Sequence, residues 1–157
     1  MKSLRTMLLV RQFEGCKLKP YLCPAGIPTI GWGSTRYTNG VRVSMKDPAI
    51  TQAKADEMLL WDLKAFEADV TMLTKSVKLT QNQFDALVDF AYNCGSDIDI
   101  YTIPEGLGYS MLLKKVLANP NDLAIANQFN SWIHGGGKVL PGLVKRRKAE
   151  SDLYFTK

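Results

Sequence analysis

Leu59, Leu63, Phe66, Val70 and Leu73 recur at intervals of three and four residues, so all five fall on one face of a long helix. A helix with a single apolar stripe must cover that stripe with other elements, and the residues that follow supply them. A second helix is predicted from Thr80, where T-Q-N-Q fits a capping box between Thr80 and Gln83. Phe84, Leu87, Val88 and Ala91 form its apolar face, and Gly95 stands where a positive-φ residue would end it. Further helices are expected near 109–118, 121–132 and 142–155. SDIDIYTIPEGLG reads as a loop or short irregular segment, and HGGGKVLPG as a loop. The first fourteen or so residues also read as a helix, with Leu4, Leu8 and Val10 or Arg11 a turn apart.

Residues 17–43 have the opposite texture. Pro20, Pro24, Pro28, Gly26, Gly31, Gly33 and Asn39-Gly40 punctuate short runs rich in Tyr, Ile, Val and Thr. Asn-Gly between TRYT and VRVS is a strong hairpin signal, because both residues accept positive φ. The expectation is a small antiparallel sheet of about three strands. The fold class is therefore α+β: one domain over 1–157, with a β lobe at about 17–47 and a helical lobe from about 1–14 and 50–157, the two joined by the long helix. So small a sheet cannot bury a core alone and must lean on the helices. The junction is a natural cleft, and Glu14 sits where the first helix passes into the sheet.

Composition narrows the partners. The chain is 46% hydrophobic and 22% charged, ordinary for a globular protein. A formal charge of +5 and a pI near 9.1 suit an anionic partner (nucleic acid, a lipid surface or an acidic polymer such as bacterial cell wall) as well as a merely soluble surface. No stretch reaches the roughly 18 apolar residues of a membrane span, and MLLV is too short for the core of a secretory signal. Neither membrane insertion nor export by a leader is expected. Three cysteines, Cys16, Cys23 and Cys94, do not make a disulfide framework, although Cys16 and Cys23 could approach across the turn at Pro20. Without a CxxC pair, and with His134 the single histidine, a zinc site is not expected, and no cofactor is called for. Cys94 reads as a buried hydrophobe. The basic residues are dispersed and match no nucleic-acid-binding motif.

A carboxyl at a lobe junction, partly withdrawn from water, can hold a proton long enough to donate it to a leaving oxygen. Glycoside cleavage needs such an acid, and a group on the opposite face of the sugar that attacks or activates water. On the facing sheet, Thr29 offers a hydroxyl that can hold water, and Cys23 a thiol that acts as base or nucleophile once ionised. By spacing alone, Glu14 reads equally as a surface residue at a helix end.

The motifs resolve this. Glu14, eight residues, Cys23, five residues, Thr29 resembles the catalytic pattern of the phage-type lysozymes, glycoside hydrolase family 24, which include many bacteriophage endolysins. EGCKLKPY and TIGWGST are similar to that family's first motifs, LTQNQFDALVDFAYNCG to its helix ending in FNxG, SMLLKKV to its STLLxKL, and FNSWIHGGGKVLPGLVKRRKAESDLY to its closing W…GGK…GL…RR…E pattern. The resemblance runs across nearly the whole chain. It implies a lysozyme-like fold and hydrolysis of the β-1,4 bond between N-acetylmuramic acid and N-acetylglucosamine in peptidoglycan. Glu14 would be the general acid, with Cys23 and Thr29 handling the attacking water. Gly31, Gly33, Thr35, Tyr101 and Tyr109 are candidate contacts to the glycan, each with a plain packing or turn role as the alternative. The resemblance also implies a monomer that waits in the host cytoplasm, is released by a holin and acts on the wall in the periplasm.

Three departures matter. Cys23 stands where the family has Asp or Cys, Ser34 where it often has His, and SDIDIYTIPEGLGYS is longer than the usual connection. Replacing the histidine removes a possible ion pair between the sheet and the helical lobe. On the last helix, Lys145 and Lys148 read as solvated, while Arg146 and Arg147 are open, one of them able to stand near Glu14. Two rivals remain: lytic transglycosylation at the same site, and a non-catalytic wall-binding or tail module.

Overall fold

A computed structural model describes residues 4–98 and 106–157. The elements run α1 (Leu4–Phe13), β1 (Lys17–Leu22), β2 (Pro28–Gly31), α2 (Gln52–Leu73), α3 (Gln81–Cys94), a 3-10 turn (Leu107–Tyr109), α4 (Met111–Ala118), α5 (Ile125–Asn130), β3 (His134–Gly135), β4 (Lys138–Val139) and α6 (Pro141–Phe155).

The long helix forms as its spacing predicts. Thr51 caps it by accepting from Lys54 N at 3.1 Å. Leu59, Leu63 and Val70 are sealed, and Phe66 and Leu73 pack against the same core at its edge. At the next helix both halves of the capping box are present. Gln83 N donates to Thr80 Oγ1 at 3.2 Å and Thr80 N to Gln83 Oε1 at 2.9 Å. Gly95, at φ +93, ends α3 and donates to Ala91 O at 2.8 Å. The helix is central to the main core, packing against α1, α2 and α6, with Leu87, Phe90 and Ala91 completely buried.

The β region leans on α2, as expected. Ile30 and Val43 bury Met58 of the long helix in a small cluster of their own. Gly31, at φ +67, brings the strand so close to α2 that an added Cβ would lie 3.3 Å from that of Ala55. Trp32 Nε1 donates to Asp56 Oδ1 at 2.8 Å, and Ser34 Oγ to Asp62 Oδ2 at 2.5 Å. Ser34 thus still ties the sheet to the long helix, by a hydrogen bond in place of an ion pair.

Three expectations need correction, and α1 adds a detail its periodicity left open. Only two strands pair in the β lobe. The third stretch meets its neighbours through the isolated bridges Ile30–Ser34 and Arg36–Arg42, because Gly31 and Gly33, both at positive φ, fold the chain back before a ladder can extend. The Asn39-Gly40 turn does form, with Tyr37 N donating to Val41 O at 2.9 Å. On α1 the inward residues are Thr6 and Val10, while Leu4 and Leu8 are exposed. The small Thr6 lets α1 approach α3, where its hydroxyl donates to Asp85 O at 3.4 Å. HGGGKVLPG contains a minimal hairpin, β3–β4, turned by Gly136 and Gly137 at φ +57 and +76. The helix expected over 121–132 shortens to α5, because Asn119 and Asp122 accept from Asn121 N and Ala124 N and hold a turn first. Among the described residues no helix is long and apolar enough to cross a membrane.

Candidate active site

Glu14 directly follows α1, and its N–H still donates to Val10 O at 2.8 Å, so the helix end fixes its backbone. Its half-buried carboxyl is not housed in an apolar pocket. Arg146 Nη1, on α6, donates to Glu14 Oε1 at 2.6 Å. Arg146 is itself buried and gripped from below by Asp89 of α3, with Nε–Oδ2 at 2.9 Å and Nη2–Oδ1 at 3.0 Å. Three helices therefore converge on the one carboxyl.

A tight turn carries Cys23. Gly26 N donates to Cys23 O at 2.8 Å and Cys23 N to Ile27 O at 3.1 Å, with Gly26 at φ +74. This turn draws the Cys23 thiol below its ordinary value. The backbone N–H of Ile27 is the main cause, opposed by partial desolvation and aided by the Ala25 N–H and the Thr29 hydroxyl. Thr29 is buried, and its Oγ1 donates to Ile27 O at 2.8 Å.

Glu14, Cys23 and Thr29 line one cleft of about 450 Å³. Gly33 and Thr35 line it too. Gly31 does not, being packed on Ala55, and Tyr109 lies away from it, exposed on the 3-10 turn. Tyr101 lies outside the described residues. The cysteines are all free thiols, and Cys94, half-buried, accepts from Arg147 Nη1 at 2.7 Å.

The cleft also holds residues that sequence reasoning did not single out. Asp62 contributes a carboxyl that burial pushes up, partly offset by the Ser34 bond. Tyr92 donates to Trp32 O at 3.0 Å, and burial raises its phenol well above the usual value. Asn93 lines both this cleft and a neighbouring hollow of about 510 Å³ with Cys94, Trp132 and His134. Tyr92 and Asn93 belong to the AYNCG motif, which was the one signal for them. Asp62 sits on the long helix one residue before stripe member Leu63, with no local mark of its role.

Comparison with known proteins agrees with this architecture. The phage lysozyme family matches residues 11–150. The endolysin of Bacillus phage B103 is 38% identical over 153 residues, covering 94% of this chain and 51% of that protein. The endolysin of Acyrthosiphon pisum secondary endosymbiont phage 1 is 36% identical over 160 residues, covering 97% and 96%. The chain thus spans about half the length of the first relative and nearly all of the second. A crystal structure of a P22 lysozyme mutant superposes with a TM-score of 0.80 at 30% identity, covering 98% of this chain and 97% of that one.

Proposed function

The chain belongs to the phage lysozyme family, and from that premise we propose that it acts as an endolysin, hydrolysing the β-1,4 bond between N-acetylmuramic acid and N-acetylglucosamine in bacterial peptidoglycan. One observation carries this reading. A carboxyl, a thiol and a hydroxyl line a single cleft. Glu14 donates its proton to the glycosidic oxygen as the bond breaks. Arg146 orients the carboxyl through Oε1 and stabilises the carboxylate left behind. Cys23 and Thr29 hold and activate the attacking water, with Cys23 in its ionised form serving as base. Gly33 and Thr35 are glycan contacts within the cleft.

Glu14→Gln keeps the side chain's shape and removes its proton. Its expected effect is loss of lysis, by a factor of roughly a hundred or more, with an unchanged circular dichroism spectrum. Turbidity clearance of permeabilised cells measures it, and a folded, fully active variant overturns the assignment. Transglycosylation at the same carboxyl is separated by mass spectrometry of the products. Reducing ends support hydrolysis, and anhydro-muramic ends replace it. In the setting this implies, residues 1–157 work as one monomeric catalytic unit that reaches the periplasmic wall from the host cytoplasm through a holin.

A further inference from the structure

Residues 17–47 carry five basic residues, Lys17, Lys19, Arg36, Arg42 and Lys46, against one acid, Asp47, so four of the chain's five net positive charges lie in the β lobe. Two of them are set face to face. Tyr37 N donates to Val41 O at 2.9 Å and Val43 N to Thr35 O at 2.9 Å, and between these bonds Arg36 bridges Arg42. The arginines are thus a non-hydrogen-bonded antiparallel pair, the kind in which opposed side chains share one face and come closest. Like charges placed this way repel. Among the described residues neither guanidinium meets a carboxylate. Asp47, the lobe's one acid, accepts instead from Tyr37 Oη at 2.9 Å and Ser44 N at 2.8 Å. Arg36 Nη1 donates to Gly40 O at 2.8 Å, which ties its guanidinium to the turn.

Both arginines line a hollow of about 200 Å³ with Ile27, Pro28, Thr35 and Val43. The hollow adjoins the cleft, because Thr35 lines both. Ile27 belongs to the Cys23 turn, its carbonyl accepting from Cys23 N at 3.1 Å and from Thr29 Oγ1 at 2.8 Å. A branch from a sugar held in the cleft therefore reaches the arginines past Thr35. The volume falls below the roughly 300 Å³ at which full ligand pockets begin, which suits such a branch rather than a whole ligand. Guanidinium groups present planar N–H forks that match a carboxylate, and two of them side by side call for an anion.

We propose, resting on the reading of the chain as a peptidoglycan hydrolase, that Arg36 and Arg42 form an accessory subsite for the carboxylates of the peptide stem that branches from N-acetylmuramic acid. A bound carboxylate takes N–H groups from both arginines and removes the repulsion between them. This binding energy is present for strands that carry stems and absent for bare glycan. The pair therefore sets a preference for peptide-substituted strands without touching the reacting bond. Phosphate-bearing polymers offer the same anionic chemistry, but continuity with the cleft through Thr35 favours a branch of the substrate itself.

A stem peptide carrying its lactyl group contains no glycosidic bond, so the wild-type protein binds it without turnover. In arginine-labelled protein the Nε–Hε NMR signals of Arg36 and Arg42, assigned with Arg36→Gln and Arg42→Gln, are expected to shift saturably with this peptide. They are expected to stay still with the same peptide after every carboxylate has been amidated. Unmoved signals, equal shifts from both peptides, or saturation by inorganic phosphate but not by the acidic peptide overturn the proposal. Kinetics give a second reading. On soluble glycan strands bearing stems, Arg42→Gln is expected to raise KM roughly tenfold at unchanged kcat, and Arg42→Lys to recover part of the loss. On strands stripped of peptide by an amidase, variant and wild type are expected to match. A merely structural arginine would give an equal rise on both strands, and that result overturns the proposal, as does no rise on either. Failure of the wild-type protein to cleave either strand would instead strike the catalytic reading, while the peptide titration would still report on the arginine pair.

Discussion

Cys23 shows how much a single residue owes to its turn. The N–H groups around it favour the thiolate, whereas burial pushes the Cys94 thiol up despite Arg147 beside it. Iodoacetamide reacts with thiolates, so Cys23 is expected to alkylate at lower pH than Cys94, with lysis lost in step. Mass spectrometry across a pH series reads this, and equal rates for the two cysteines refute it. Cys23→Ser is likewise expected to impair turnover more than Cys94→Ser. Asp85 is a second case, in the opposite direction. It is buried, with Oδ1 accepting from Gln81 at 2.6 Å and Oδ2 unpartnered, and desolvation raises its carboxyl. A raised carboxyl contributes stability at pH below its unfolded value and loses it as pH rises through the folded value. Asp85→Asn removes that loss, so thermal melts should show it gaining on the wild type between acid and neutral pH. A gap that does not change with pH contradicts this.

At the scale of the element, local chemistry was readable wherever the signal and the structure share the same few residues. The Thr80–Gln83 box needs only neighbouring atoms, and so does the Gly95 stop. Thr80→Ala should therefore cost about 1 kcal/mol, seen as a lower urea midpoint at an unchanged slope. An unaltered midpoint would mean α3 is held by packing alone. α1 was less readable. Its periodicity reveals a stripe, but not that Thr6 rather than Leu4 and Leu8 would face α3, because docking favours the side that approaches closest. In HGGGKVLPG the glycines mark a turn, and the two-residue strands flanking it are too short to leave an alternating pattern.

Across the whole molecule, a formal charge of +5 suits the anionic wall that the proposed function names as substrate. Lytic rate is expected to fall as salt rises, since the screening length shortens to about 3 Å at 1 M. A rate independent of salt would show that net charge plays no part in wall engagement. The helix stripe, the caps, the Asn-Gly turn and the Glu14, Cys23 and Thr29 spacing were all legible along the chain, because each is written in residues near one another. The partner of Glu14 was not. Arg146 lies 132 positions away, and Asp89 and Glu150 complete its setting from two further places in the sequence. Spacing can nominate an acid, but the charges that surround it are assembled only when α1, α3 and α6 pack together. Electrostatic energy depends on distance through space and on the exclusion of water, and neither quantity exists before the chain folds.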